Sequence, residues 1–266
     1  MPDPKPLLPT DILVDRRDPA LAVVTINRPE RRNALSLAMW QELGAIFTRL
    51  GAEPAIRAII LTGGTAAFCA GADISEFPAV RRTVEDGRAY EAAGDACQTA
   101  IQNCPKATIA AISGPCYGGG VGVALSCDFR VADSSAYFAI PAARLSNVYG
   151  VVETRALYEA VGLAHAKEVL FSGRRYDTAE AHGIGLATHV AEGAMAGAKA
   201  IAEKLRTSAP LTIKGTKIVL DAIVRGDSVE RMAAVHRVKD EAMASADYKE
   251  GVKAFAEKRD PKFRGA

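Results

Sequence analysis

Hydrophobic and polar positions follow two alternating patterns over the first 190 residues. Short runs of small or β-branched apolar residues, which are typical of buried strands, occupy 21–26, 58–62, 108–112 and 129–132. Apolar residues spaced three or four apart lie between them, as at Leu43, Phe47 and Leu50 after a candidate N-cap at Ser36. Strands alternating with helices predict an α/β fold with mainly parallel strands.

From residue 194 onward the pattern is helical. We predict helices over 194–206, 210–224, 228–245 and 247–258, and therefore divide the chain into an α/β core over 1–193 and a helical region over 194–266. A run of helices after such a core usually docks on the core or on a neighbouring subunit. Residues 1–10 are rich in proline and are expected to form a tail.

Two of the predicted strands run into turns made of small residues. The strand 58–62 is followed by Phe68–Asp73, and the strand 108–112 by Gly118-Gly119-Gly120 and an apolar helix. Turns of this kind can expose backbone N–H groups at the ends of neighbouring strands. Two such groups aimed at one oxygen form an oxyanion hole, in which each donor contributes roughly 3–4 kcal/mol. The alternative is close packing of helix on strand, the commoner use of a glycine run.

Composition narrows the choice of partners. The net charge is +2 and aromatic residues make up 6% of 266 residues, so neither nucleic acid nor a membrane is an expected partner. The cysteine count, five, is odd and the spacing is irregular, which indicates reduced thiols in a cytoplasmic protein. No metal-ligand spacing, dinucleotide fingerprint, P-loop or apolar signal core is present, and we expect neither a metal nor a separate cofactor.

Five segments carry a resemblance to a known family. They are Arg28-Pro29 with Arg32-Asn33-Ala34-Leu35, Phe68–Ile74, Ile112-Ser113-Gly114 with Gly118-Gly119-Gly120, Ser126-Cys127-Asp128, and Phe255–Arg259 followed by Pro261-Lys262-Phe263. In this order and spacing they resemble the enoyl-CoA hydratase/isomerase (crotonase) family over nearly the whole chain. The resemblance implies a spiral of ββα units, a C-terminal helical trimerisation region, and a homotrimer or a dimer of trimers.

The resemblance also implies a ligand and a set of site residues. The ligand would be an acyl-CoA or enoyl-CoA of fatty acid or related lipid metabolism, with coenzyme A as part of the substrate. The N–H groups of Ala72 and Gly119 would hold the thioester oxygen. Asp73 can equally cap its own turn. The remaining positions implied to contact coenzyme A are Arg28, Arg32, Ala34, Ala70, Asp73, Ile74 and Tyr117, with Phe255 and Lys258 reaching a neighbouring subunit.

One departure from the family pattern bears on the chemistry. Hydratases of this family use two glutamates as acid and base, and Gly122 and Ala142 occupy those positions here. Ordinary hydration is therefore not expected. Glu153 is the candidate acid/base for double-bond isomerisation, with Tyr149 assisting, although Glu153 could equally serve the dipole of its helix. A non-catalytic acyl-CoA binding or carrier protein is the alternative function.

Overall fold

The computed structural model describes residues 7–226 and 228–266. Within these residues, nine strands are β1 (Ile12–Asp18), β2 (Leu21–Ile26), β3 (Ala58–Thr62), β4 (Ala107–Ile112), β5 (Pro115–Tyr117), β6 (Phe129–Ala132), β7 (Tyr137–Ala139), β8 (Tyr176–Asp177) and β9 (His189–Val190). The α-helices are α1 (Leu37–Ala52), α2 (Phe77–Val80), α3 (Val84–Gln102), α4 (Gly119–Ser126), α5 (Val151–Ser172), α6 (Thr178–Ile184), α7 (Ala194–Arg206), α8 (Pro210–Arg225), α9 (Val229–Ala244) and α10 (Ala246–Ala256).

The main sheet has six strands in the order β1-β2-β3-β4-β6-β9. Strands β1 and β2 are antiparallel, and every later pair in this sheet is parallel. A second sheet has the order β5-β7-β8, in which β5 and β7 follow the main strands β4 and β6 along the chain and β8 follows α5. Because β2, β3, β4 and β6 are parallel, the loops after them emerge at one edge of the main sheet, where open α/β sheets hold their ligands.

Helices cover both faces of the main sheet, so its central strands are buried on both sides. The residues of β3 and β4 are all buried. Helices α1 and α3 belong to one core cluster, which includes Leu43, Phe47 and Ile101. Helix α7 packs small residues against the other face, where Ala198 joins a cluster with Ile60. Alanine lets the helix approach the sheet closely.

The predicted α/β class and the strands of the main sheet are confirmed. Ser36 caps α1 as expected, since its Oγ accepts a hydrogen bond from Met39 N at 3.2 Å. One expectation is corrected. The sequence predicts a turn at Ser113-Gly114-Pro115, but Pro115 is already the first residue of β5, which pairs with β7. The sequence also predicts helices over 154–161 and 164–170 separated by Gly162, and this is confirmed: α5 consists of two helical segments that meet at a kink, where Gly162 has the non-helical angles φ 73° and ψ 169°.

The C-terminal helices α8, α9 and α10 follow α7 and carry exposed apolar side chains. Ile223 is 71% exposed and Phe255 is 88% exposed. The boundary that we placed at residue 193 stays a prediction, and α7 packs on the sheet of the core. Residues 1–6 of the expected tail lie outside the described residues. Of the helices in the described ranges, none combines the length and apolar character needed to cross a membrane.

Candidate active site

Three loops at the edge of the main sheet are joined by backbone hydrogen bonds. The loop after β2 meets the loop after β3, where Leu35 N donates to Gly71 O at 2.8 Å and Asp73 N donates to Leu35 O at 2.8 Å. The loop after β3 meets the segment after β4, where Tyr117 N donates to Cys69 O at 2.8 Å. These bonds fix the relative positions of the two small-residue turns that the sequence singles out.

The side chain of Asn33 ties the same loops together from inside. Its Nδ2 donates to Gly63 O at 2.8 Å and to Ala67 O at 2.6 Å. Its Oδ1 accepts from Arg28 N at 2.8 Å, and the residue is 2% exposed. Asn33 therefore satisfies three backbone groups that would otherwise be buried without partners.

Two residues that the family resemblance implies as coenzyme A contacts are partners of each other. Arg28 Nη2 and Asp73 Oδ2 lie 3.2 Å apart in a buried ion pair, and Arg28 Nη1 donates to Ala34 O at 2.9 Å. The turn-capping interpretation of Asp73 is confirmed, since its Oδ1 accepts from Ser75 N at 3.2 Å. Both side chains thus hold the loop that carries Ala72.

The two small-residue turns approach each other more closely than side chains would allow. A Cβ on Gly71, whose φ is +90°, would lie 2.8 Å from Tyr117 O and 3.0 Å from Gly119 N. A Cβ on Gly120 would lie 2.4 Å from Cys69 O. Glycine is required at both positions because the contacts are with backbone atoms that cannot rotate away.

This close approach brings the amides of Ala72 and Gly119 together. A Cβ on Gly119 would lie 3.8 Å from Ala72 N, and the indole of Trp40 packs against the same glycine. Neither amide N–H has a hydrogen-bond acceptor among residues 7–226 and 228–266. Gly119 is the first residue of α4, so its amide points out of the helix N-terminus. The pair can donate to one ligand oxygen.

The space beside Gly122 contains an amide from another helix. A Cβ on Gly122 would lie 2.9 Å from Oε1 of Gln98, a fully buried residue of α3. Gln98 Nε2 donates to Glu153 Oε1 at 3.0 Å. Glu153 thus lies one hydrogen bond from the side chain beside Gly122, where the family resemblance implies the first glutamate. Ala142, at the second position that the resemblance implies, is buried.

The surroundings of Glu153 favour proton transfer near neutral pH. Burial raises the pKa of Glu153 to about 7, against the hydrogen bond from Gln98, which lowers it. Nearby Asp95 and Glu91 raise the pKa further, and Arg81 lowers it. Burial and the charge of Glu153 also raise the pKa of Tyr149, whose hydroxyl oxygen would lie 3.4 Å from a Cβ on Gly118.

The other sequence-predicted site residues fall into two groups. Arg32, Ala34, Ala70, Ile74 and Tyr117 lie in or beside the joined loops, with Ala70 N donating to Arg32 O at 2.9 Å. Phe255 and Lys258 lie at the end of α10, where Phe255 lines a separate cavity of about 400 Å³. Their implied contact with a neighbouring subunit stays a prediction.

Sequence reasoning missed Gln98 and the packing of Trp40 against Gly119. A signal for Gln98 was available, because it falls on the same face of α3 as the buried Tyr90, Cys97 and Ile101. A glutamine on an apolar stripe must find a buried partner or remain unsatisfied. The partner, Glu153, is 55 residues away in sequence.

Known proteins match both the sequence and the fold. A family model described as enoyl-CoA hydratase/isomerase matches residues 16–266. The short-chain-enoyl-CoA hydratase of Clostridium acetobutylicum is 35% identical over 242 residues, covering 90% of this chain and 92% of its own. The (E)-benzylidenesuccinyl-CoA hydratase of Thauera aromatica is 34% identical over 252 residues, covering 92% of this chain and 96% of its own.

A solved structure matches this fold over nearly the full length of both chains. The crystal structure of enoyl-CoA hydratase from Bacillus anthracis has a TM-score of 0.88 and 32% identity, covering 96% of this chain and all 100% of that one. The two sheets and the backbone-lined turns therefore define a protein of the crotonase fold, as the sequence predicted. The chain belongs to the enoyl-CoA hydratase/isomerase family.

Proposed function

We propose that this protein binds an enoyl-CoA thioester and moves its double bond between the β,γ and α,β positions. The thioester oxygen accepts hydrogen bonds from the amides of Ala72 and Gly119, and Glu153 carries the proton. One observation supports this most strongly. The carboxylate of Glu153 accepts a hydrogen bond from the side-chain amide of Gln98, which fills the space beside Gly122. Gly122 lies on α4, and the first backbone amide of that helix is the proposed oxyanion donor of Gly119.

Isomerisation of the double bond needs a single group that carries the proton. Glu153 removes a proton from the α carbon of the 3-enoyl thioester, and negative charge develops on the thioester oxygen. Two preorganised N–H donors stabilise that oxyanion, at roughly 3–4 kcal/mol each. The same carboxyl then returns the proton at the γ carbon, so that the substrate and product have the same composition. A carboxyl with a pKa of about 7 can both accept and return a proton near neutral pH.

Tyr149 supplies a neutral polar group beside the glycines. Because burial raises its pKa, the phenol stays protonated and can donate a hydrogen bond. Its hydroxyl would lie 3.4 Å from a Cβ on Gly118. We propose that Tyr149 assists by orienting the acyl group.

Hydration calls for a different set of groups. Adding water across the double bond requires one group that activates the water and one that protonates carbon. Neither Gly122 nor Ala142 can transfer a proton. The residues present therefore favour isomerisation, which we place in fatty acid or related lipid metabolism.

We also propose that coenzyme A lies along the joined loops, near Arg32, Ala70, Ile74 and Tyr117. Exposed apolar side chains on the C-terminal helices, such as Ile223 and Phe255, favour association through these helices, and we propose the homotrimer or dimer of trimers that the family resemblance implies. The five cysteines are buried thiols without disulfide partners in the described residues, which is compatible with the cytoplasm.

A non-catalytic acyl-CoA binding protein is the second candidate, and the missing glutamates at positions 122 and 142 favour it. One experiment separates the two functions. The protein is incubated with a 3-enoyl-CoA and with crotonyl-CoA, and binding of each is measured by calorimetry in parallel. We expect isomerisation of the 3-enoyl-CoA and little hydration of crotonyl-CoA. Tight binding without turnover of either would overturn the isomerase proposal in favour of binding alone.

A further inference from the structure

Gln98 occupies a place that a side chain of α4 would otherwise fill. Its Oε1 is 2.9 Å, and its Cδ and Nε2 are each 3.3 Å, from the position of a Cβ on Gly122. Any side chain at position 122 would therefore displace the amide. The glycine and the glutamine form one arrangement, in which α3 supplies the polar group in place of α4.

The hydrogen bond from Gln98 stabilises the ionised form of Glu153. Nε2 is a donor, and it lies 3.0 Å from Glu153 Oε1, so the bond is strongest when Glu153 is an ionised acceptor. Gln98 Oε1 is buried and has no partner among the residues that the structure describes. An amide held with one end unsatisfied indicates that the bond at the other end determines its orientation.

The remaining groups around Glu153 act at longer range. From α3, Asp95 and Glu91 oppose ionisation of Glu153 by like-charge repulsion. Arg81, which follows α2, favours ionisation, but its Nη2 is bonded to Glu91 at 2.7 Å. Tyr149, which precedes α5, is neutral at physiological pH. Among the described residues, Gln98 is thus the direct hydrogen-bond donor to this carboxylate.

We propose that Gln98 is a positioning residue that holds Glu153 in its ionised, proton-accepting form and fixes its direction. The catalytic consequence rests on the proposed isomerase function. The structural part concerns Gln98 and Glu153 alone and can be measured without substrate.

The first test is a titration. Glutamate labelled with ¹³C at the side-chain carboxyl is followed by NMR from pH 5 to 9, and Glu153→Gln identifies the signal of Glu153. Removing the donor in Gln98→Met should raise the titration midpoint of Glu153 by about one pH unit, a tenfold change in its ionisation constant. Gln102→Met is the matched control, because Gln102 lies one turn further along α3 and bonds Ser126 instead.

The second test is the pH profile of 3-enoyl-CoA isomerisation. Turnover should fall as the pH drops through the midpoint of Glu153, and this limb should move to higher pH in Gln98→Met but not in Gln102→Met. Gln98→Asn keeps the amide but is one methylene shorter, so it should behave like Gln98→Met. It replaces Gln98→Met in this test if circular dichroism shows that Gln98→Met is not folded.

The two proposals fail in different ways. If the unaltered protein does not isomerise the substrate, the proposed function is wrong, and the titration still decides the role of Gln98. An unchanged Glu153 midpoint in a folded Gln98 variant would overturn the positioning role, whatever the turnover.

Discussion

Replacing Glu153 by glutamine is expected to remove a specific pH dependence of stability. Burial raises the pKa of this carboxyl from its ordinary value of 4.5 to about 7 in the folded protein. Each pKa unit corresponds to 1.36 kcal/mol, so full ionisation of the native carboxyl opposes folding by about 3 kcal/mol. Because the pKa is raised on folding, the native state retains a proton that the unfolded chain releases. Stability attributable to Glu153 is therefore present below pH 4.5 and is lost as the pH rises through 7.

The assay is urea unfolding at several values between pH 5 and pH 8, at one fixed protein concentration so that any assembly contributes equally. The free energy of unfolding of Glu153→Gln, relative to the unaltered protein, should rise by most of about 3 kcal/mol across this range. An offset that does not change with pH reflects the weaker hydrogen bond that a neutral oxygen accepts from Gln98, and it does not affect the test. A difference that stays flat with pH would refute the assignment of a raised pKa to Glu153.

Three further substitutions test the packing of the site. Gly120→Ala places a Cβ 2.4 Å from Cys69 O, so urea unfolding should show a loss of at least about 2 kcal/mol, and a stable variant would contradict the close approach of the turns. Gly122→Ala should lower the free energy of unfolding by about 1 kcal/mol, because the new methyl group meets the side-chain amide of Gln98. This loss should disappear in a Gln98→Ala background, and additive effects of the two substitutions would contradict the contact. Asn33→Ala leaves two loop carbonyls unpaired, so it should lower the free energy of unfolding by about 2 kcal/mol and weaken acyl-CoA binding. Unchanged binding would show that the loops keep their positions without the Asn33 side chain.

Local signals in the sequence were sufficient for the main sheet and the helices. The central strands β3 and β4 are continuous apolar runs, which is the pattern of a parallel sheet buried on both faces. The strand β5 was not predicted, and its first residue, Pro115, was assigned to a turn. Its pairing with β7 provides the stabilisation, and that contact cannot be recognised from the segment itself.

The glycines were informative because a close approach of two backbones requires them. The sequence therefore identified both turns that carry Ala72 and Gly119, and the absence of glutamate at positions 122 and 142. It also identified Glu153 as a candidate, but not the environment that raises its pKa. The pKa is raised by burial and by Asp95 of α3 and is lowered by the hydrogen bond from Gln98, and only the packing of α3 against α5 brings these groups near Glu153.

For Arg28, no signal in the sequence indicated its environment. The family resemblance implies a contact with coenzyme A, whereas the guanidinium of Arg28 is buried against Asp73. The pairing joins residues 45 positions apart, so no local pattern could reveal it. A direct role of Arg28 in binding stays a prediction of the family resemblance.

The turnover of Glu153→Gln, measured together with its binding of acyl-CoA, shows directly whether Glu153 carries the proton. General acid–base groups contribute typically about 10²–10⁴-fold to rate. We expect the variant to isomerise a 3-enoyl-CoA at least about 100-fold more slowly than the unaltered protein, with a dissociation constant for the acyl-CoA changed only a few-fold. Glutamine keeps the shape of the side chain and its contact with Gln98 but cannot carry the proton. Unchanged turnover in a correctly folded variant would contradict the account and remove Glu153 from the reaction.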